Sequence, residues 1–357
     1  MKSTERVLGW DLLRGLCALC VAAYHLLYWQ DVAAIHTFGS YGVYLFFVLS
    51  GASLSYTYAD AIASKSFSFP GFLWTRYLRL APLYVGLMVL VFPWKLKQLG
   101  LSTELFILYL TNATFLFGFY NPANHALLVG GWSLGIEAIF YLLFPLLMMS
   151  FRLTATAWGL FVGLLSLQAA WILITVAQPD GYEQNYLLYH QAPAFAAYFM
   201  GGCLIGVIRH QGQFQKLIPA VFGLGGLLCG FLVLWKINPV NAGGELTGWR
   251  GLSSTTLCFL MVFFASRIEL KSSFVGLAQK FGDSTYGLYL MHPVIFFGCL
   301  FVLFPRLGIV EPVQWPLSGR LAFGGFVIAL AFALALASEK YFEKPLRLWV
   351  GQKLSFL

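Results

Sequence analysis

Long apolar stretches separated by short polar joints dominate the chain. A membrane-spanning helix needs about 20 mostly apolar residues. Eleven segments approach that requirement: 8–29, 39–59, 78–94, 101–119, 130–150, 154–177, 190–209, 216–236, 250–267, 285–304 and 319–338. The two-residue alternation of a β-barrel is not seen. The pattern therefore predicts an all-α, polytopic integral membrane protein. No long polar insertion, internal repeat or low-complexity tract interrupts the series. A single transmembrane domain over 1–357 with no appended soluble domain is expected.

Composition agrees with lipid as the main solvent. Hydrophobic residues make up 59% and charged residues 10% of the chain, whereas a soluble domain carries roughly 25% charged residues. The 18 Tyr and 11 Trp suit aromatic belts at the membrane boundaries. The formal charge of +8 is not arranged in a basic, aromatic-interleaved run. It fits cytoplasmic retention of Lys and Arg better than nucleic-acid binding. All six Cys lie in apolar stretches, so Cys17-x-x-Cys20 reads as packing rather than redox or zinc chemistry. No His pair has metal-ligand spacing, and no metal is expected. The apolar N-terminal stretch contains Asp11 and Arg14 and lacks a small-residue cleavage site, so it reads as an uncleaved first helix.

The distribution of charge revises the helix count. With eleven spans and a cytoplasmic N-terminus, nine Lys/Arg face inward and twelve outward, the wrong bias. Demoting 101–119 to a partial or re-entrant element gives fifteen against six. About ten spanning helices with both termini cytoplasmic are expected. Segment 101–119 also carries Glu104, Thr111, Asn112 and Thr114, and irregular backbone survives at membrane depth only inside protein or beside a cavity.

Ionisable residues within the spans are costly and usually functional. Asp11, Arg14, Gly15, Ala18, Ala22 and His25 share one face of the first helix. Arg14 and His25 are about 16 Å apart along the axis. Asp11 and Arg14 form either a structural i,i+3 pair or part of a site, and His25 is a candidate general base. Arg76 and Arg79 share a face entering the third helix and form a candidate phosphate fork. Ser133, Glu137 and Tyr141 make an i, i+4, i+8 stripe beside Trp132. Glu137 is expected about two turns below the outer surface, close enough in depth to His25 to orient it. Ser50 and Gly51 read as packing residues. His292 before Pro293 is a weaker candidate, either a site residue or a kink stabiliser.

These residues, taken together in order, resemble the acyltransferase 3 family of membrane O-acyltransferases. The resemblance rests on Asp11-x-x-Arg14-Gly15 with His25, Gly42-Val-Tyr-Leu-Phe-Phe-Val-Leu-Ser-Gly51, and Arg76-x-x-Arg79 with Pro82. It continues through Trp132-Ser133-Leu with Glu137 and Phe140-Tyr141, Tyr289-Leu-x-His292, and Glu343-x-Pro345-x-Arg347. It implies ten core helices, acetyl-CoA or another acyl-CoA as donor on the cytoplasmic side, and an acceptor hydroxyl, commonly on a glycan or glycolipid. It implies that His25 is catalytic and that Arg14, Arg76 and Arg79 serve the donor. Asp11, Trp132, Ser133, Tyr141 and His292 are expected around the substrate. Tyr44 stands where the family often has an acid, and Gly135, Ala138 and Ile139 replace more polar residues near Glu137. The expected enzyme is an O-acetyltransferase of a bacterial inner membrane. The alternative is a transporter or flippase for a glycan, for which repeated halves would be characteristic. The topology predicts that a reporter placed at Asn121 is found outside the cell; a cytoplasmic reporter would refute it.

Overall fold

The computed structural model describes residues 6–178, 181–212 and 218–353. Lys2 and Lys216, both used in the charge count, lie outside the described residues. Twelve helices of ten residues or more occur among the described residues. They are α1 (Leu8–Trp29), α2 (His36–Ala63), α3 (Phe69–Leu99), α4 (Thr103–Ala113), α5 (Trp132–Met149) and α6 (Thr154–Thr175). They continue with α7 (Ala196–His210), α8 (Ala220–Lys236), α9 (Gly248–Ala265), α10 (Ser272–Gly298), α11 (Leu317–Ser338) and α12 (Lys344–Lys353). The described strand content is one two-residue parallel pairing, Ile218 with Ile268 and Pro219 with Glu269.

Seven stretches are long and apolar enough to cross a membrane: α1, α2, α3, α5 with its following turn, α6, Ser272–Leu307 and Leu317–Gly351. Helices α7, α8 and α9 complete the set of ten that correspond to expected segments, and α8 is an apolar helix of under 18 residues. The all-α polytopic class is therefore correct. Large apolar side chains such as Val89, Leu146, Ile174, Phe222 and Leu252 point outward, as lipid-facing positions should. Helix α10 begins thirteen residues before the apolar segment 285–304. Its first turns carry Lys280 and Asp283, so hydropathy alone misses them.

Helix α4 is the odd segment, for a physical reason. It has 11 residues, about 16 Å of rise, roughly half a hydrocarbon core. Ser102 caps it by accepting from Leu105 N at 3.1 Å. It stops before Phe115, which adopts a left-handed conformation at φ 57°. The chain then runs through a 3₁₀ turn at Leu116–Phe119 and one helical turn at Pro122–His125. Asn112, fully buried, secures this irregular backbone. Its Nδ2 donates to His125 O at 2.7 Å, and its Oδ1 accepts from Tyr84 Oη at 2.7 Å and Leu127 N at 2.9 Å. Backbone polar groups without water need such partners.

Helix α7 is buried along ten of its fifteen residues and packs backbone-to-backbone on α2. A Cβ at Gly202 would stand 2.1 Å from Val48 O, and one at Gly51 would stand 2.1 Å from Phe199 O. Small residues are what permit such close helix approach in a membrane. Gly202→Val should therefore destabilise the protein by more than about 3 kcal/mol, with Gly202→Ala less severe. A melting curve in detergent that left Gly202→Val unchanged would contradict this packing.

Candidate functional site

Two cavities occupy the interior on opposite sides of a thin partition. The larger, of about 1220 Å³, is bordered by the first turns of α1, the later half of α2, the start of α3, α5, and the α11–α12 junction. The smaller, of about 700 Å³, is bordered by the last turns of α1, the start of α2, the 123–132 segment and the loops before α7 and α9. Val43 and Tyr289 border both. Tyr289 Oη donates to Gly130 O at 2.9 Å and lies 3.1 Å from Ser133 Oγ. Gly130 sits at φ 79°, and a Cβ there would be 2.7 Å from the Tyr289 hydroxyl, so a glycine is required to form the partition.

The larger cavity is cationic. Eight Lys/Arg border it against five Asp/Glu. Asp11 pairs with Arg6 and, at 3.1 Å, with Arg14. Arg6 also reaches Asp283 at 2.8 Å. Arg347 pairs with Glu339 and lies 3.9 Å from Glu343. This leaves Arg76, Arg79, Lys280, Lys340 and Lys344 without an ion-pair partner among the described residues. Arg76 donates to Tyr58 Oη at 3.3 Å and lies over the Tyr58 and Phe72 rings. Its Nε is buried and has no hydrogen-bond partner. A buried donor in that state is one a ligand oxygen can satisfy. The arginine pair therefore fits an anionic, phosphate-bearing group in a way a neutral lining would not.

Arg14 donates to Ser53 Oγ and to Leu49 O, which ties α1 to α2. Asp11 is thus consumed by structural ion pairs. The small-residue face of α1 is also occupied, since a Cβ at Gly15 would meet the Phe281 ring of α10 at 2.3 Å. Space for a ligand lies in the two cavities and not along that face at Gly15.

The polar stripe of α5 lies on the cationic side. Ser133, Glu137 and Tyr141 all border the larger cavity. Tyr141 donates to Glu137, and Ser50 donates to Glu137 Oε1 at 2.7 Å. Two expectations need correction here. Ser50 is a hydrogen-bonding partner rather than a packing residue, and Glu137 is not beside His25. The reason is depth. Helix α5 starts beside Tyr289 at the partition, so Glu137, one turn further along, lies on the partition's far side. It meets Ser50, whereas Tyr24 and His25 lie level with the start of α2, where Tyr24 abuts His36 and Gly39. Gly39 and Ser50 are eleven residues apart, about 16 Å.

His25 borders the smaller cavity and has a different partner. Its Nδ1 lies 3.0 Å from His292 Nε2, and His292 Nδ1 lies 2.9 Å from Leu288 O. A carbonyl oxygen only accepts, so His292 carries its proton on Nδ1. With both rings neutral, His292 Nε2 then accepts from His25 Nδ1–H, and His25 Nε2 is left as a lone pair. His25 stacks on Trp29 at 4.8 Å with the rings 3° from parallel, which fixes the ring plane. His292 is fully buried. Trp132 borders the smaller cavity and packs edge-on against His190 at 4.5 Å. Tyr44 donates to or accepts from Tyr189 Oη at 2.7 Å on the same side. The structure thus divides the expected site residues: Asp11, Arg14, Arg76, Arg79, Ser133, Glu137 and Tyr141 around one cavity, His25, His292 and Trp132 around or behind the other. Among the described residues no cluster of three or more His, Cys, Asp or Glu is placed to hold a metal ion.

An all-α membrane protein with a cationic cavity, an oriented imidazole and a thin partition between them has the outline of a group-transfer enzyme. The acyltransferase domain family model matches residues 7–338, and the chain belongs to this acyltransferase 3 family. One curated relative is an O-acetyltransferase. That relative is the peptidoglycan O-acetyltransferase OatA of Listeria monocytogenes, 26% identical over 381 residues that include 94% of this chain and 55% of the relative. The chain thus spans about half of that protein's length. No solved structure matches.

The ion pairs give a graded expectation. The Asp11 side chain is 5% exposed and serves two arginines, whereas Asp283 is 41% exposed. Asp11→Asn should cost roughly 3 kcal/mol of stability, and Asp283→Asn less than about 1 kcal/mol. Thermal melts of the detergent-solubilised variants check the order; equal losses would show that Asp11 is not the hub.

Proposed function

We propose that the protein moves an acyl group, acetyl by default, from cytoplasmic acyl-CoA to a hydroxyl of an exported or cell-surface glycan, with His25 as general base. The larger cavity is read as facing the cytoplasm of a bacterial cell, because the Lys/Arg excess lies on that side. Arg76 and Arg79, with Lys280, Lys340 and Lys344 near them, are the groups to hold the donor's phosphates. The smaller cavity takes the acceptor. The peptidoglycan acted on by the Listeria relative makes a glycan the natural acceptor class.

The observation that carries the reading is the Leu288–His292–His25 chain. It presents an imidazole lone pair beside a cavity, held by a second group, which is the arrangement a general base requires. His25 Nε2 takes the hydroxyl proton as the acceptor oxygen attacks the thioester carbonyl. The C–O bond forms, the C–S bond breaks, and the proton passes from His25 to the departing thiolate. During the step His292 Nε2 accepts from His25 Nδ1–H and steadies the imidazolium. Glu137, across the partition, belongs with the donor cavity, where its carboxylate is held by Ser50 and Tyr141.

His25→Ala should lower transfer by about 100- to 10,000-fold, with the protein still folded. His292 is a positioning residue and offers a sharper test. A glutamine there retains both an acceptor for His25 and a donor for Leu288 O, so His292→Gln should keep at least tenfold more activity than His292→Leu. The difference should appear in kcat rather than in either KM. Glu137→Gln should leave the acceptor KM unchanged. Thiol release from acetyl-CoA by purified protein in detergent reads all four variants. Substantial activity in His25→Ala would refute the base assignment.

A further inference from the structure

The smaller cavity has a lining that its partner lacks. None of the residues bordering it is Lys or Arg, and two are acidic, Glu183 and Glu245. Its walls are aromatic, with Tyr24, Tyr28, Trp29 and Tyr186 near His25. Glu245 lies in the loop between α8 and α9 and is 1% exposed. The loop is held in place by its backbone, because Tyr41 Oη donates to Glu245 O at 2.9 Å. Ser40 Oγ donates to Glu245 Oε1 at 2.7 Å. Glu245 Oε2 is buried and has no hydrogen-bond partner.

A buried carboxyl oxygen without a donor is costly, and such groups usually mark a role. Burial pushes the Glu245 carboxyl above its ordinary value, with Ser40, the loop's own backbone at Glu245 and Gly243, and His36 opposing the shift. His36, which also borders the cavity, acts in this way when charged, and no Lys or Arg among the lining residues is placed to pair with the carboxylate. What is missing is an O–H or N–H from something that enters the cavity. Aromatic walls suit the flat C–H faces of a pyranose, and a few placed polar groups then fix its orientation. The cavity's 700 Å³ falls in the range of small-molecule sites.

We infer that Glu245 is a specificity-determining residue of an acceptor subsite for an uncharged sugar, its Oε2 taking a hydroxyl or amide N–H of the ring that presents its other hydroxyl to His25. The same lining rejects an anionic sugar. A carboxylate, phosphate or sulfate would meet Glu245 and Glu183 with no Lys or Arg as countercharge, and discrimination of this kind works by placing like charge against the wrong ligand. This rests on the reading of His25 as the site of transfer. It adds a charge class for the acceptor and a second residue that recognises it.

The test has two arms. Mass spectrometry compares glycans from cells carrying the wild-type protein with those carrying His25→Ala and identifies the sugar residue that loses its acyl ester. That residue is expected to bear no carboxylate, phosphate or sulfate. Oligosaccharides containing it then serve as acceptors for full-length Glu245→Gln and Glu245→Ala in detergent. Acceptor KM should rise roughly ten- to a hundredfold in Glu245→Ala and less in Glu245→Gln, which keeps the shape and a bond to Ser40. The KM for acetyl-CoA should stay within twofold in both, which also shows that they are folded. An acyl ester on an anionic sugar residue overturns the inference, as does an acceptor KM unchanged in both variants. If neither variant folds, the wild-type glycan result decides alone. Ester that persists in His25→Ala refutes the transfer site instead, a distinct outcome.

Discussion

Helix α1 is clasped to α10 at two levels, and the site depends on that clasp. At one level Arg6 bridges Asp11 of α1 and Asp283 of α10. About 21 Å further along α1, His25 meets His292. Between them Gly15 lets the Phe281 side chain pack against the backbone. Inside a bilayer a charged or imidazole group without a partner is expensive, so each contact fixes the axial register of the two helices to within a hydrogen-bond length. The same register sets both working ends. It keeps Arg14 facing Ser53 of α2 beside the cationic cavity and leaves one nitrogen of His25 for the other cavity. A slip of one residue would break both ends together, which makes the clasp a constraint on the chemistry as well as on folding.

Much of this was legible in the chain because membrane solvation makes simple patterns reliable. The apolar runs marked the helices, and the Lys/Arg bias singled out 101–119, where α4 is a helix of only 11 residues. The polar face of α1 gave Arg14 and His25 directly. What failed was depth. Trp132-Ser133-Leu-Gly-Ile-Glu137 reads as a helix entering from the outer surface, which would bring Glu137 near His25. Its actual starting level is set by Asn112 gripping His125 and Leu127, a contact of no fixed spacing. His292 was visible but ambiguous, since a histidine before proline has two ordinary explanations, and its 3.0 Å contact with His25 has no spacing that a sequence would display. The buried, unpartnered oxygen of Glu245 was not foreseen, because a lone acid in a Gly-rich loop forms no periodic pattern. The available signal was its position between two apolar helices, with no basic residue for eight positions before it.

The two cavities differ in charge, and the difference reaches further here than in a soluble enzyme. Low-dielectric walls focus fields and weaken screening. The side with unpaired Arg76, Arg79 and Lys280 draws anions, and the side with Glu183 and Glu245 repels them. An anion is therefore favoured on one side of Tyr289 by electrostatics, without any need for a tight steric seal. The partition has only to stop bulk exchange.

That bears on why transfer suits this architecture better than transport. Moving a whole sugar past Tyr289 would require α5 and α10 to separate, because the hydroxyl is bonded to Gly130 and Ser133 on the α5 side. Glycan passage in transporters is served by paired, broken halves that rock about a midplane site, and no internal repeat is visible here. Moving only an acyl group on a slender arm asks much less. Val43 and Tyr289 need only change side-chain position, while the clasp between α1 and α10 stays closed. A fold fixed at both ends of α1, with two side chains between the cavities, therefore fits the proposed passage of a small group better than the passage of a whole sugar.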